Sequence, residues 1–385
     1  MNIIFSTQSV VEYDGNSYYS NAVQATYRRY LCLGDKITII CFKKDVAKAS
    51  NDLIDEGAVT FSFVKKINTF KSLIRRDAKK DEKKIEQLVK RADLCVAHVP
   101  CEHSYNVIKY SKKYNKPYMT VVCGCPWDSL WNFDWRGKLL APKAYLTLKR
   151  IQRESPFSIY VTNSFLQNRY PTKGQHIACS NVNISTGLSG ILEKRLEFIN
   201  NHQSGKEVYR IGTVAAIDVP YKGQEYVIRA LAQLKEKGIV YEYHLVGTGS
   251  NTRLEMIAKE ENVYDQVFFH GQLPHGEVLK FLDEIDIYVQ PSKQEGLPRA
   301  MIEAMSRGCL CMGSRIAGIP ELLEPHYLFS KGNVREISAI LQDISSDNLT
   351  KQAIRNFEKA KEYDKDTLNK RRTDFLLEFK RKSQL

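Results

Sequence analysis

The sequence predicts an α/β protein made of two doubly wound parallel-sheet domains, and three observations carry that prediction. Short apolar runs alternate with amphipathic stretches of about ten to fifteen residues, the rhythm of βαβ units. The alternation occurs twice, once in each half of the chain. The 385 residues, 43% apolar and 26% charged, are enough for two or three globular cores. In the first half the strands are expected at Asn2 to Ser6, Lys36 to Phe42, Val59 to Val64, Asp93 to Val99 and Pro117 to Val122. A surface helix is expected over Asp77 to Arg91, where Ala78, Ile85, Leu88 and Val89 form a narrow stripe among charges. In the second half the strands are Tyr209 to Val214, Tyr241 to Val246, Gln266 to Phe269, Asp286 to Gln290 and Cys309 to Met312. Helices are expected between them at Gln224 to Lys237, Thr252 to Glu260, Gly276 to Asp283 and Arg299 to Arg307. The polar stretch Asn200 to Lys206 reads as the linker, giving domains of 1–199 and 207–364. Two such domains would leave a cleft facing the carboxyl ends of both sets of strands.

Charge is unevenly distributed. Residues 1–200 hold 31 Lys and Arg against 18 Asp and Glu, whereas residues 201–385 hold 26 of each. The whole formal charge of +13 therefore lies in the first half, which suits an anionic partner such as a membrane surface or a phosphorylated substrate. No recognised nucleic-acid module accompanies the charge, so nucleic acid is not expected as a partner. No apolar run approaches the roughly 20 residues that span a bilayer, and Met1 to Ser6 reads as a strand rather than a secretion signal. Nine Cys spread thinly along so long a chain point to reduced thiols. A cytoplasmic protein is expected, peripheral on the inner face of the cell membrane.

The segment after the strand Asp286 to Gln290 is the most informative: Pro291-Ser292-Lys293-Gln294-Glu295-Gly296-Leu297-Pro298-Arg299, followed by Ala300 to Met305. Strand, polar turn and helix follow one another. Pro298 suits a first helical turn and Gly308 the stop, so a helix of about three turns begins at the strand's carboxyl end. Amides around Gly296 and Leu297, with the helix dipole, make a site for an anion such as a diphosphate. Glu295 and Glu303 frame it, and a carboxylate accepts two vicinal hydroxyls of a sugar.

Glu295 to Glu303 is a Glu-x7-Glu element, and in the setting PS-x2-EG-x6-EAM it resembles the retaining glycosyltransferases of family 4, which have the GT-B fold. Gly212-Thr213, Tyr221-Lys222-Gly223, Val246-Gly247-Thr248-Gly249, Phe269-His270-Gly271 and Gly318-Ile319-Pro320-Glu321-Leu322 follow the family's order. The resemblance implies transfer of a sugar from a UDP- or GDP-linked donor, without a metal or other cofactor, to a glycan acceptor that is lipid-linked, in bacterial capsule, exopolysaccharide or lipopolysaccharide synthesis. It implies that Glu303 receives the donor ribose, Glu295 the transferred sugar and Lys222 the leaving phosphate, with Gly296 and Leu297 beside the diphosphate. His270 and Leu273 would lie at the base, and Gly247 and Gly249 would let the chain pass close to the donor. The acceptor side would include Asp14, Gly15, Asn16 and Asp128, and the C-terminal helix, 365–385, would cross back to join the first domain. Where many relatives have a diphosphate Arg, this chain has Thr213-Val214-Ala215, so Lys222 acts alone or with Arg299 or Arg315. Where many have a His near the reacting sugar, it has Cys123-Gly124. A GT-B nucleotide-sugar epimerase and a non-catalytic nucleotide-sugar-binding subunit are the alternatives.

Plainer readings stand beside these. Glu303 lies four residues from both Arg299 and Arg307 and could form a surface ion-pair ladder. Thr252 and Glu255 suggest a capping box. Cys95, His98, Cys101 and His103 are dense in possible ligands, but they run along a strand and its exit, where alternate side chains diverge, so no metal site is expected. Trp127, Trp131 and Trp135, spaced by four, read first as core packing and second as acceptor or lipid contact. The segment Lys65 to Arg91 and the tail Lys380 to Lys382 are the candidates for contact with anionic lipid.

Overall fold

A computed structural model describes residues 1–383 except 50, 56, 58, 66–75, 188 and 204–207. The chain forms two compact units, one of residues 1–126, 142–179 and 369–385, the other of residues 127–141 and 180–368. The strands are β1 (Asn2–Tyr13), β2 (Tyr18–Tyr19), β3 (Lys36–Asp45), β4 (Val59–Phe63), β5 (Leu94–Val99), β6 (Tyr118–Val122), β7 (Phe157–Tyr160) and β8 (Gln175–Ala178) in the first sheet, then β9 (Tyr209–Val214), β10 (Tyr241–Val246), β11 (Val267–Gly271), β12 (Ile287–Gln290), β13 (Leu310–Ser314) and β14 (Leu328–Phe329) in the second. The helices are α1 (Asn21–Tyr27), α2 (Arg76–Arg91), α3 (Glu102–Lys113), α4 (Pro126–Trp131), α5 (Trp135–Arg153), α6 (Phe165–Arg169), α7 (Ile191–Gln203), α8 (Gln224–Lys235), α9 (Thr252–Glu260), α10 (His275–Glu284), α11 (Arg299–Ser306), α12 (Val334–Gln342), α13 (Ser346–Lys361) and α14 (Lys365–Lys382).

The first sheet runs in the order β4-β3-β1-β5-β6-β7-β8, all parallel, with β2 antiparallel on the end of β1. Its middle strands β5 and β6 are covered on both faces, with every residue buried. The stripe of α2 faces inward through Ile85 and Val89, and Glu82 and Glu86 on its flank bind Lys109 and Lys113 of α3 at 2.8 and 2.6 Å. Within this unit Phe375 and Phe379 of α14 pack on Phe157 of β7, with ring centroids 5.5 and 5.1 Å apart.

The second sheet is parallel throughout, in the order β11-β10-β9-β12-β13-β14. Counted from β9 this is 3-2-1-4-5-6, the doubly wound order whose direction of growth reverses between β9 and β12. Helix α8 buries Val227, Ile228, Leu231 and Leu234 on it, and α12 buries Ile337 and Leu341. The linker expected at Asn200 to Lys206 is helical as far as Gln203, in α7, and its remainder lies outside the described residues. Helix α7 groups with the second unit for a visible reason. Ile199 joins that unit's core, and Arg195, 4% exposed, donates to the carbonyls of Leu282, Ile285 and Arg307 at 2.6, 2.7 and 2.8 Å.

Among the described residues no helix is long and apolar enough to cross a membrane, and none of the nine Cys is in a disulfide. The three Trp do not pack in a core. They divide between α4 and α5, because Asp134 accepts from the Gly137 amide at 2.6 Å and starts a new helix there. Trp127 and Trp131 stack at 5.1 Å, while Trp131 is 41% and Trp135 67% exposed.

Candidate functional site

Two loops leave the second sheet where its order reverses, one after β9 and one after β12, and they bear Lys222 and Glu295. The first loop ends in a single 3-10 turn, Pro220–Lys222, and the second runs from Pro291 to Pro298. They are stitched directly, since the Lys293 amide donates to the Tyr221 carbonyl at 2.7 Å. Residues 127–141 reach the same place: the Asn132 side chain donates to the Lys293 carbonyl at 3.1 Å.

Lys222 and Glu295 meet there. Lys222 Nζ lies 2.7 Å from Glu295 Oε1, with the two side chains 20% and 12% exposed. The same oxygen accepts from Ser292 Oγ at 2.7 Å and from Gln290 Nε2 at 3.2 Å, and Gln290 in turn donates to Ser292 Oγ at 2.8 Å. Gln290 and Ser292 are buried, and Tyr288 supports Gln290 by donating to its Oε1 at 2.7 Å. One carboxylate oxygen thus receives three donors, which fixes the side chain, and none of the described hydrogen bonds uses Oε2. Sequence reasoning missed Ser292 and Gln290 as partners, although the spacing of Ser292 three residues before Glu295 was in plain view. A second group was missed as well: Glu225, at the start of α8, binds Arg253 at 2.8 Å and Lys293 at 3.1 Å.

Helix α11 begins at Arg299, with Pro298 as the residue before it (φ −71°, ψ 111°) rather than inside its first turn. It is eight residues long, shorter than the three turns expected, because the chain leaves helical geometry after Ser306. Gly296 and Leu297 form its approach, and the Gly296 carbonyl accepts from the Gly318 amide at 2.9 Å. Glu303 is on this helix and is partly buried. Burial pushes its carboxyl above the usual range, while His275 and Arg299 pull it back. The ion-pair ladder is only half available to it, for the Arg307 guanidinium is bidentate on Asp283, at 2.7 Å to each oxygen. Arg299 is exposed, and Arg315 donates to the Leu328 carbonyl at 3.2 Å.

Thr213, at the position of the missing Arg, is fully buried, with Oγ1 2.9 Å from Tyr243 OH and 2.7 Å from the Val289 carbonyl. It is a core residue. Gly247 is required by the chain's own packing: a Cβ there would stand 1.8 Å from the Ala215 carbonyl oxygen. Gly249 has φ +114° and a Cβ would meet the Asp218 carboxylate at 2.4 Å. The expected capping box of Thr252 and Glu255 does not form, because Asn251 precedes the helix without a side-chain cap and the Thr252 amide donates to Ser250 Oγ at 3.3 Å. His270 is exposed at the end of β11. It stacks on His244 at 5.2 Å with a ring-nitrogen contact of 3.0 Å, and burial lowers the affinity of both rings for a proton. Leu273 follows in the loop, half-buried.

The first unit holds the expected acceptor-side turn on its own. Asp14 closes this turn at the end of β1: Oδ1 accepts from the amides of Asn16 and Ser17 at 2.9 Å each, and Oδ2 from Tyr19 at 2.7 Å. These bonds, with that from Ser17 first, hold its carboxyl below the usual range. Gly15 and Asn16 are exposed at the turn. Asp128 lies in the first turn of α4, its carbonyl accepting from Asn132. His98 is buried and neutral, 2.8 Å from Tyr30 OH, its proton affinity pushed down to about 3 by desolvation. His103 Nε2 lies 2.8 Å from the Thr7 carbonyl. Among the described residues no three metal-ligating side chains gather in one place. Cys123, half-buried just past the end of β6, has its Sγ 3.9 Å from His98 Nδ1 and 3.7 Å from the Val121 carbonyl.

The folding pattern of both sheets is that of a GT-B protein. Residues 195–362 match the family Glycosyl transferases group 1, and the second unit carries a domain of that family. The chain is similar to Protein CapJ of Staphylococcus aureus, 28% identical over 348 residues that cover 89% of this chain and 85% of that one. It is also similar to the amylovoran biosynthesis glycosyltransferase AmsK of Erwinia amylovora, 34% identical over 134 residues, 32% of this chain and 33% of AmsK. In fold it is similar to Anabaena HepE, solved in complex with UDP and glucose, with a TM-score of 0.66, 17% identity, and coverage of 96% of this chain and 97% of that one. The matched domain and the relatives make the protein a glycosyltransferase.

Proposed function

We propose that the protein is a retaining, metal-independent glycosyltransferase that moves a sugar from a UDP- or GDP-linked donor to a lipid-linked glycan acceptor, as a step in building a bacterial surface polysaccharide. The observation that carries this reading is the Lys222–Glu295 pair at the approach to α11. Breaking the bond between the anomeric carbon and the phosphate oxygen leaves the electron pair, and so negative charge, on the nucleoside diphosphate. Lys222 supplies a fixed cation for that charge, and the helix-end amides of Gly296 and Leu297 supply dipoles, so no divalent ion is needed to stabilise it. Glu295, clamped through one oxygen, offers the other to hydroxyls of the transferred sugar. Glu303 takes the ribose hydroxyls, and His270 and Leu273 flank the base.

Two likenesses support the substrates. HepE was solved with UDP and glucose, and AmsK is a glycosyltransferase of amylovoran biosynthesis. The second favours transfer over the epimerase alternative. The acceptor side is assigned to the turn Asp14-Gly15-Asn16 and to Asp128, and the excess charge of the first half supports peripheral association with anionic membrane. The test is a screen of UDP- and GDP-sugars with a lipid-linked acceptor extract, in chelator. One donor should release nucleotide only when acceptor is present, and NMR of the product should show the donor's anomeric configuration. Nucleotide release independent of acceptor, an inverted product, or loss of turnover in chelator each overturns the corresponding part of the reading.

A further inference from the structure

Helix α5 carries apolar side chains on the wrong side for a folded protein. Trp135, Leu139, Pro142 and Leu146 recur at i, i+4, i+7 and i+11, which places them on one line along the helix. That line faces outward: Trp135 is 67%, Leu139 70% and Leu146 62% exposed. The opposite line, Ala141 and Leu148 with Gln152, is buried. The helix contains six basic residues and no acidic one. Lys138 and Lys149 border the apolar line on one side, and Arg136, Lys143 and Arg150 on the other, all exposed. Next to Leu146, within the first unit, lies a groove of about 820 Å³ lined by Leu146, Lys149, Arg150, Arg153, Glu154 and Lys173. Its one carboxylate, Glu154, is bound to Lys112 at 2.5 Å, so the groove keeps an excess of cations.

We propose that this face of α5 is the surface by which the protein lies on an anionic lipid bilayer, the apolar line entering the headgroup boundary and the groove receiving lipid phosphates. An exposed apolar line between two cationic borders matches that interface on both counts. A second copy of the chain would bring like charges together, and a soluble acidic glycan would leave the indole and leucines without a partner. This assigns the membrane contact to a helix other than α2 and the tail. On α2 four acidic residues accompany seven basic ones, and Lys382 of the tail is paired with Glu378 at 2.8 Å. The proposal names the surface for the membrane-side acceptor and in that sense rests on the transferase reading, but its test needs neither donor nor acceptor.

The test is co-sedimentation of the full chain with vesicles of phosphatidylcholine alone or of phosphatidylcholine and phosphatidylglycerol in equal parts. Binding is expected only to the second. Lys149→Glu with Arg150→Glu should weaken it at least about tenfold, at roughly 1 kcal/mol for each cation near the surface. Leu139→Ser with Leu146→Ser should weaken it at least about fivefold, since two buried side chains leave the interface. Lys79→Glu with Lys83→Glu on α2 should change it less than about twofold. UDP binding, measured alongside, should be the same in all variants, which shows that each is folded and separates loss of lipid contact from failure of the donor site. Equal loss in the α2 variant would reduce the effect to net charge and overturn the assignment. So would binding to neither vesicle, or a dimer by sedimentation velocity that only the α5 serines dissolve.

Discussion

Glu295 and Asp14 are both carboxylates just beyond the carboxyl end of a central strand, and they have been put to opposite uses. Asp14 spends both oxygens on its own turn, on two amides and a tyrosine within five residues. Glu295 gathers a lysine 73 residues away, together with Ser292 and Gln290, on one oxygen. Both are held by near neighbours in sequence, but only Glu295 is also paired with a cation from another loop, and its three donors share one oxygen, which suits it to act on a ligand where Asp14 shapes backbone. The lesson is that position at a strand end does not mark a site. A cation brought to it from a loop far along the chain does.

Substitutions can break or sharpen that contrast. Glu295→Ala and Lys222→Ala are each expected to fold and to lower turnover at least about 100-fold, the order for removing a partner of developing charge. The double variant should be little worse than the poorer single one if the pair acts as a unit. Steady-state kinetics with the donor found in the screen decides this, and loss below about threefold in both breaks the contrast. Gly247→Ala should cost about 1–3 kcal/mol in a denaturant titration, because the added methyl meets backbone rather than a yielding side chain. Ser292→Ala should lower turnover about tenfold with KM for the donor little changed, having removed one charge-assisted hydrogen bond that orients Glu295.

Glu303 gives the pH arm. Its carboxyl binds a proton more readily in the folded chain than in the unfolded one, so between the unfolded and folded titrations the native state holds more protons and stability falls as pH rises. Glu303→Gln should abolish that decline, raising Tm at neutral pH relative to the parent while weakening UDP binding. A variant that gains stability and keeps full UDP affinity removes Glu303 from the donor site. The smallest effect is expected at Asp14→Asn, which keeps an acceptor for both amides: acceptor KM should shift less than about fivefold and donor KM not at all. A loss of turnover approaching that of Glu295→Ala would erase the distinction.

Much of this was legible in the sequence where local rules suffice. Tyr209 to Val214 and Tyr241 to Val246 have the bounds expected of them, and in the second the buried Tyr241, Tyr243 and Leu245 alternate with the half-buried Glu242 and His244, the period of a strand. The loop after β12 and the helix from Arg299 lie where strand, polar turn and helix were expected, although Pro298 precedes that helix and it is shorter than three turns. What could not be read is what periodicity leaves open. A spacing of four puts Trp131 and Trp135 on one side of a helix but does not say whether that side meets core or solvent, nor that Asp134 divides the helix. The expected capping box failed because Ser250 competes for the Thr252 amide. Lys222 and Glu295 meet only because β9 and β12 are neighbours, a fact of sheet order that pairwise spacing does not contain.

The hydrogen bond between the Lys293 amide and the Tyr221 carbonyl has a practical corollary for redesign. It couples the two segments that bear the cation and the acid, so neither can be transplanted by itself into a homologous scaffold without leaving that amide or that carbonyl orphaned. Altering which donor is accepted therefore calls for grafting both segments as one cassette, with their mutual bond preserved.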